Sequence, residues 1–124
     1  MFTIDALSRE PIYEQIINQL ERLLLTGILH PGDQLPSIRS LSLELSINPN
    51  TVQKAFSALE NKGLIQPVPG KGYYISENAS NILLVAIRGK MEKLYNTLCE
   101  MAHAGIQKEE LLELVEKVYA DHKN

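Results

Sequence analysis

The sequence predicts a mainly α fold with one small β-hairpin, and three observations carry that prediction. Apolar residues recur at helical spacing in three successive stretches within the first half of the chain. Two short apolar runs, Ile65–Val68 and Tyr73–Ile75, flank the turn-forming Pro69-Gly70-Lys71-Gly72. Beyond a polar seam at Ser76–Ser80, helical spacing resumes almost to the end. Residues 1–78 therefore read as one domain and 79–124 as a helical appendage.

The first helix is expected from about Pro11 to Thr26. Proline suits a first helical turn because its missing N–H has no partner there. Ile12, Ile16, Leu20, Leu23 and Leu24 form one apolar stripe. Gly27 is a left-handed stop, and Pro31-Gly32 marks a turn after it. A short second helix follows over Ile38–Leu45, capped by Ser37, with Leu41 and Leu45 facing inward. Ser46-Ile47-Asn48 makes a tight connection. Asn48 caps a third helix that starts with Pro49 and runs to Lys62, where Gly63 ends it. The hairpin comes next.

The appendage predicts two antiparallel helices, about Asn81–Ala104 and Lys108–His122, separated by Gly105. Leu83, Ile87, Met91, Leu94, Leu98 and Met101 step by three or four, as do Leu111, Leu114/Val115 and Val118. A piece of this size cannot bury such a seam alone. It must pack on the first domain, on a second copy, or on both.

Composition excludes several classes. The chain has 124 residues, 44% hydrophobic and 22% charged, which is the balance of a folded domain. Its longest wholly apolar run is Ile82–Ile87, against the roughly 20 residues a membrane span requires. The opening MFTIDALSRE has no signal-peptide pattern. A lone cysteine, Cys99, fits a reducing cytoplasm. Cys99 and His103 have metal-ligand spacing, but no second pair accompanies them, so they read as a half-buried thiol and a surface imidazole. His30 and His122 read as isolated. Pro69–Gly72 is not a phosphate-binding loop of the Gly-x-x-x-x-Gly-Lys kind. No catalytic triad or carboxylate pair stands out, and neither metal, cofactor nor enzymatic activity is expected.

The net charge of −3 argues mildly against a nucleic-acid partner, but its distribution does not. Between Ser37 and Gly72 the bases Arg39, Lys54, Lys62 and Lys71 outnumber the acids Glu44 and Glu60. At about 100° per residue, Gln53, Lys54, Ser57 and Asn61 fall within roughly 60° of Asn50 on the third helix. Val52, Ala55, Phe56 and Leu59 fall opposite and form its core face. Amide side chains pair bidentately with adenine in the major groove, and hydroxyls serve bases or phosphates. Two helices joined by a short turn, the second so equipped, form a helix-turn-helix. The hairpin behind them has the arrangement called a wing, whose tip offers backbone N–H groups and Lys71 to a phosphate. The bland alternative is an ordinary solvated face, with Arg39 paired to Glu44 or Glu60 and Lys71 a solvated turn residue. Tyr13 and Tyr73 read as core or rim aromatics.

These residues resemble the GntR family of bacterial transcription regulators. The matching elements run from Pro11-Ile12-Tyr13-Glu14-Gln15-Ile16 through Gly27-Ile28-Leu29 and Pro31-Gly32-Asp33-Gln34-Leu35-Pro36-Ser37. They continue with Arg39, Leu41, Leu45, Asn48-Pro49-Asn50-Thr51-Val52, Ala55-Phe56, Leu59-Glu60, Gly63 and Gly70-Lys71-Gly72. The short tail, with Ala102-His103-Ala104-Gly105-Ile106 and Glu109-Glu110-Leu111-Leu112 at its junction, is similar to the YtrA-like branch. The resemblance implies a winged helix-turn-helix with a C-terminal dimerisation tail, and a regulator of its own operon, often one encoding an ABC transporter. It assigns DNA contacts to Arg39, Asn48, Asn50, Thr51, Gln53, Gly70 and Lys71; Lys54 and Gly72 join them from their place on the helix face and wing. Leu83, Ile87, Met91, Leu94, Leu98, Leu111, Val115 and Val118 become the expected dimerisation residues. Pro49 and Gln53 stand where long-tailed branches often carry arginine, so the targets of those branches do not transfer.

The expected function is a homodimeric, sequence-specific repressor on a palindromic operator of double-stranded DNA. The competing expectation is a winged module that binds protein instead. The tail is too short for a separate ligand-binding domain. A small-molecule effector would need a pocket at the dimer interface or between the tail and the winged domain.

Overall fold

A computed structural model describes residues 1–122. The last two positions of the expected appendage, Lys123 and Asn124, lie outside the described residues. The chain forms α1 (Ile12–Leu25), α2 (Ile38–Leu45), α3 (Pro49–Asn61), β1 (Ile65–Val68), β2 (Gly72–Ile75), α4 (Ala79–Arg88), α5 (Met91–His103) and α6 (Lys108–Asp121). It divides into two compact units, Met1–Leu84 and Val85–Asn124.

In the first unit the predicted local signals act as expected. Pro11 stands at the cap of α1, and Ile16, Leu20 and Leu24 bury the stripe. Ser37 caps α2 by accepting from the Ser40 N–H at 3.0 Å. The α2–α3 connection turns on Ser46, the one non-glycine residue with positive φ (56°) among the described residues. Asn48 Oδ1 accepts from the Asn50 N–H at 2.8 Å, satisfying one of the free donors of α3. Gly63 (φ 81°) ends α3 in the left-handed region, where a side chain would be strained. Helices α1 and α2 pack on α3, and the core runs through Ile16, Leu20, Leu41, Val52, Phe56, Leu59, Leu64, Ile65 and Ile75. Leu45, expected beside Leu41, is only half-buried.

The wing is wider than a hairpin. β1 and β2 pair antiparallel with Ile65 opposite Ile75 and Val68 opposite Gly72. The segment Gly32–Leu35 then adds along the free edge of β2. The Gly32 N–H donates to Ile75 O at 2.8 Å, Ile75 N–H to Asp33 O at 2.8 Å, and Leu35 N–H to Tyr73 O at 2.9 Å. Gln34 thereby bridges to Tyr74. The stretch after Pro31-Gly32 thus adds an isolated bridge to the edge of the two-stranded wing. The turn also holds His30, whose backbone N–H donates to Asp33 Oδ2 at 2.8 Å and whose ring Nδ1, expected to be isolated, lies 3.5 Å from the same oxygen.

Before α1, the N-terminal arm is clamped by two glutamines. Gln19 exchanges hydrogen bonds with both backbone groups of Thr3. The buried Gln15 accepts from the Asp5 N–H at 2.9 Å and donates to Asp5 O and Glu10 O. Side-chain amides here stand in for a neighbouring strand, and Phe2 is buried as a result.

The appendage differs from expectation in three ways. The seam falls inside α4 rather than at 78, because Ala79 and Leu83 are buried in the first unit. Leu83, at 5% exposure, is therefore a core residue of that unit and not a free dimerisation residue. The expected continuous helix over Asn81–Ala104 is two helices, broken at Gly89-Lys90. Glycine loses the most backbone freedom on entering a helix, and the Lys90 N–H reaches back only three residues, to Ile87 O at 3.0 Å. Finally, α5 and α6, parted at Gly105 (φ 89°), bury no residue of their own and do not close an antiparallel seam.

Candidate nucleic-acid interface

The site is built around α3. Its inner face (Val52, Ala55, Phe56 and Leu59) is fully buried, which fixes the rotation of the helix. The outer face then presents Asn50, Gln53, Lys54 and Ser57 to solvent, with Thr51 half-buried. Gln53 Nε2 donates to Ser57 Oγ at 3.2 Å, one turn on. That weak neutral bond orders the amide while leaving its carbonyl oxygen free. Asn48 has a divided role, because its Oδ1 is engaged in the cap. Its amide nitrogen makes no hydrogen bond among the described residues and is available to an outside partner.

The cations are not equivalent. Lys62 Nζ lies 3.1 Å from Glu21 Oε2 on α1, so that charge is neutralised within the fold. Arg39, on α2, is exposed, and neither Glu44 nor Glu60 pairs with it. Among the described residues Lys54 and Lys71 likewise have no carboxylate within ion-pair distance. The Lys54 ammonium instead sits 3.9 Å from the centre of the Tyr13 ring. Pro11, Ile12 and Tyr13 of α1 and Asn50, Thr51 and Lys54 of α3 together line an open groove. The Tyr13 hydroxyl donates to Glu14 Oε1 at 3.1 Å; that bond and the carboxylate's charge hold its pKa above the ordinary value of 10.0.

At the wing tip the Lys71 N–H closes the turn onto Val68 O at 2.9 Å. Gly70 (φ 77°) and Gly72 (φ 106°) adopt conformations that side-chain-bearing residues rarely take. Gln34 Nε2 donates to Lys71 O at 2.7 Å and moors the tip to the segment that bridges to β2. The base of the wing is joined to α3 by Tyr73, whose ring meets Phe56 edge-on at 5.1 Å and 77°. Tyr13 and Tyr73 are both half-buried rim aromatics.

The structure thus brings Asn50, Thr51 and Lys54 together on one groove, and Gly70, Lys71 and Gly72 on one tip. Arg39 stands on α2 with no side-chain partner in either group. Sequence reasoning assigned no role to Gln34, and read Tyr13 as a core or rim aromatic with no link to Lys54. Each acts on a residue far away in the chain, and only the quoted family motif contained both. Cys99 is half-buried and His103 exposed, and no metal-ligating cluster occurs among the described residues. No helix of the described residues is long and apolar enough to cross a membrane.

Comparison with known proteins gives a consistent result. The model of the bacterial regulatory proteins of the gntR family matches residues 12–75, from the start of α1 to the end of β2. The transcriptional repressor YtrA of Bacillus subtilis is 45% identical over 99% of this chain and 95% of its own. Among solved structures, a GntR family transcriptional regulator from Listeria monocytogenes superposes with a TM-score of 0.72 at 34% identity, covering 92% of this chain and 98% of that one. YtrA from Sulfolobus acidocaldarius, a GntR-family transcription factor, gives 0.57 at 33% identity over 99% and 100%. An exposed polar face on α3, a wing held beside it and these relatives lead to one conclusion: the chain belongs to the GntR family and is a transcription regulator with a winged helix-turn-helix DNA-binding domain, not an enzyme.

Proposed function

We propose that the protein is a cytoplasmic, homodimeric repressor that binds an inverted-repeat operator and controls its own operon. The observation that carries this reading is the outer face of α3, where amides, a hydroxyl and an ammonium stand exposed and, among the described residues, the ammonium of Lys54 pairs with no carboxylate. Each protomer lays α3 in the major groove. Asn50, Thr51 and Gln53 read bases, while Arg39, Lys54 and Lys71 meet phosphates and supply the salt-sensitive part of the affinity. The exposed apolar residues of α5 and α6, Met91, Leu94, Leu98, Val115 and Val118 among them, support a second copy as their cover. Two-fold symmetry then places the half-sites about one helical turn apart, roughly 34 Å. The full-length likeness to a named repressor favours repression over activation.

The test is fluorescence anisotropy with DNA from upstream of the protein's own gene, against a scrambled duplex, across a salt series. Binding confined to the native fragment, two chains per site, with a steep salt slope, is the expected result. Equal, weak binding to both duplexes overturns the operator assignment and favours a winged module that binds protein.

A further inference from the structure

We propose that Tyr13 is a positioning residue for DNA binding: its ring holds the Lys54 ammonium at the groove between the starts of α1 and α3, ready for a backbone phosphate. The inference rests on the reading of Lys54 as a phosphate contact. A lysine side chain is long and rotamer-rich, so an unheld ammonium loses much freedom on meeting a phosphate. Two lysines of α3 and its cap show the two ways to hold one. Lys62 is held by the Glu21 carboxylate, which cancels its charge. Lys54 is held by an aromatic face 3.9 Å away, which attracts the cation through its quadrupole and leaves the full charge in place. Glu14, the acid adjoining Tyr13, does not pair with Lys54; it accepts the Tyr13 hydroxyl at 3.1 Å. The hydroxyl is thereby engaged, and the ring is the part of Tyr13 that serves Lys54. The groove is completed by Asn50 and Thr51, two exposed or half-exposed polar side chains, with apolar walls from Pro11 and Ile12.

Phosphate contacts do not depend on sequence, so a mixed-sequence duplex is a sufficient probe. Its affinity is measured across a salt series for the wild type, Tyr13→Leu, Tyr13→Phe, Lys54→Met and the Tyr13→Leu/Lys54→Met double variant. Lys54→Met is expected to lower the salt slope by about one. Tyr13→Leu is expected to weaken binding about two- to fivefold, the range of an exposed cation–π contact. Tyr13→Phe keeps the ring and binds like the wild type. In the Lys54→Met background Tyr13→Leu has no further effect. A Tyr13→Phe loss equal to that of Tyr13→Leu overturns the proposal in favour of a hydroxyl contact, and equal losses in both backgrounds overturn it in favour of a purely structural role. An unchanged Lys54→Met overturns the phosphate contact itself, a separate failure. The wild-type NMR spectrum adds a check independent of any variant's folding: the ε-methylene protons of Lys54 are expected upfield of other lysines by ring current, and unshifted protons overturn the geometry.

Discussion

Gln53 tests whether α3 reads bases. Its amide is exposed and ordered by Ser57, and bidentate amide–adenine contacts are worth about 1–3 kcal/mol of discrimination. Gln53→Ala is expected to cost that amount on the preferred duplex and much less on a scrambled one, measured by competition anisotropy. An equal loss on both would remove Gln53 from the readers. Asn48 behaves differently, because its Oδ1 is engaged in the cap of α3. Asn48→Ala should therefore destabilise the protein by about 1 kcal/mol in urea unfolding, whatever it does to DNA affinity. Both caps, Ser37 and Asn48, were legible in the sequence, since a cap needs only its own next few residues. The ring of Tyr13 was not, because its partner Lys54 comes from another helix. Its hydroxyl, neutral until above 10.0, predicts no contribution from Tyr13 to the pH dependence of stability below that range. On the alkaline side the sign is fixed: a folded-state pKa raised above the unfolded value gives stability that is lost as pH rises through it.

Elements show where local signals stop being sufficient. The hairpin followed from two apolar runs around Pro69–Gly72, and it forms in that register. The bridging segment Gly32–Leu35 has no apolar alternation of its own; it lies there because β2 has a free edge that accepts its backbone groups. Gln34 adds the side-chain link to the tip, at 2.7 Å from Lys71 O. Gln34→Ala should leave the backbone bonds of this segment to β2 intact and free the tip. The expected result is weaker DNA binding with less than about 1.5 kcal/mol lost in stability, the net worth of one hydrogen bond. Stability loss without a change in affinity would show that the mooring serves folding alone. Helix α4 gives the complementary lesson. Its stripe reads as one continuous seam with α5, but periodicity does not say what a stripe packs on. Leu83 is buried, and none of the described residues after Gly89 is. Leu83→Ala is accordingly expected to cost about 2–5 kcal/mol of stability, as in a core, without changing oligomeric state in sedimentation.

On the scale of the whole molecule, the first unit is satisfied within one chain and the second is not. Among the described residues every buried one lies in the winged unit, and α5 and α6 hold none. Met91, Tyr95, Leu114 and Tyr119 are each more than half exposed on a unit of about forty residues, too small to make a core of its own. Apolar surface gains about 25 cal/mol per Å² on leaving water, and a stable interface of standard size covers about 800 Å² on each partner. In the proposed dimer, a two-fold pairing of α5 and α6 would cover this apolar surface and present two copies of α3 to one operator. Dimerisation and operator affinity then become one linked equilibrium, so melting temperature should rise with protein concentration. Replacing Leu94 and Val118 together by aspartate places two charges on each copy of this face. Monomers by sedimentation equilibrium are expected, with an intact winged unit by near-UV circular dichroism and the loss of most operator affinity. Dimers that persist through both substitutions would place the self-association surface elsewhere on the chain, and monomers that bind the operator as tightly as wild type would separate recognition from dimerisation altogether.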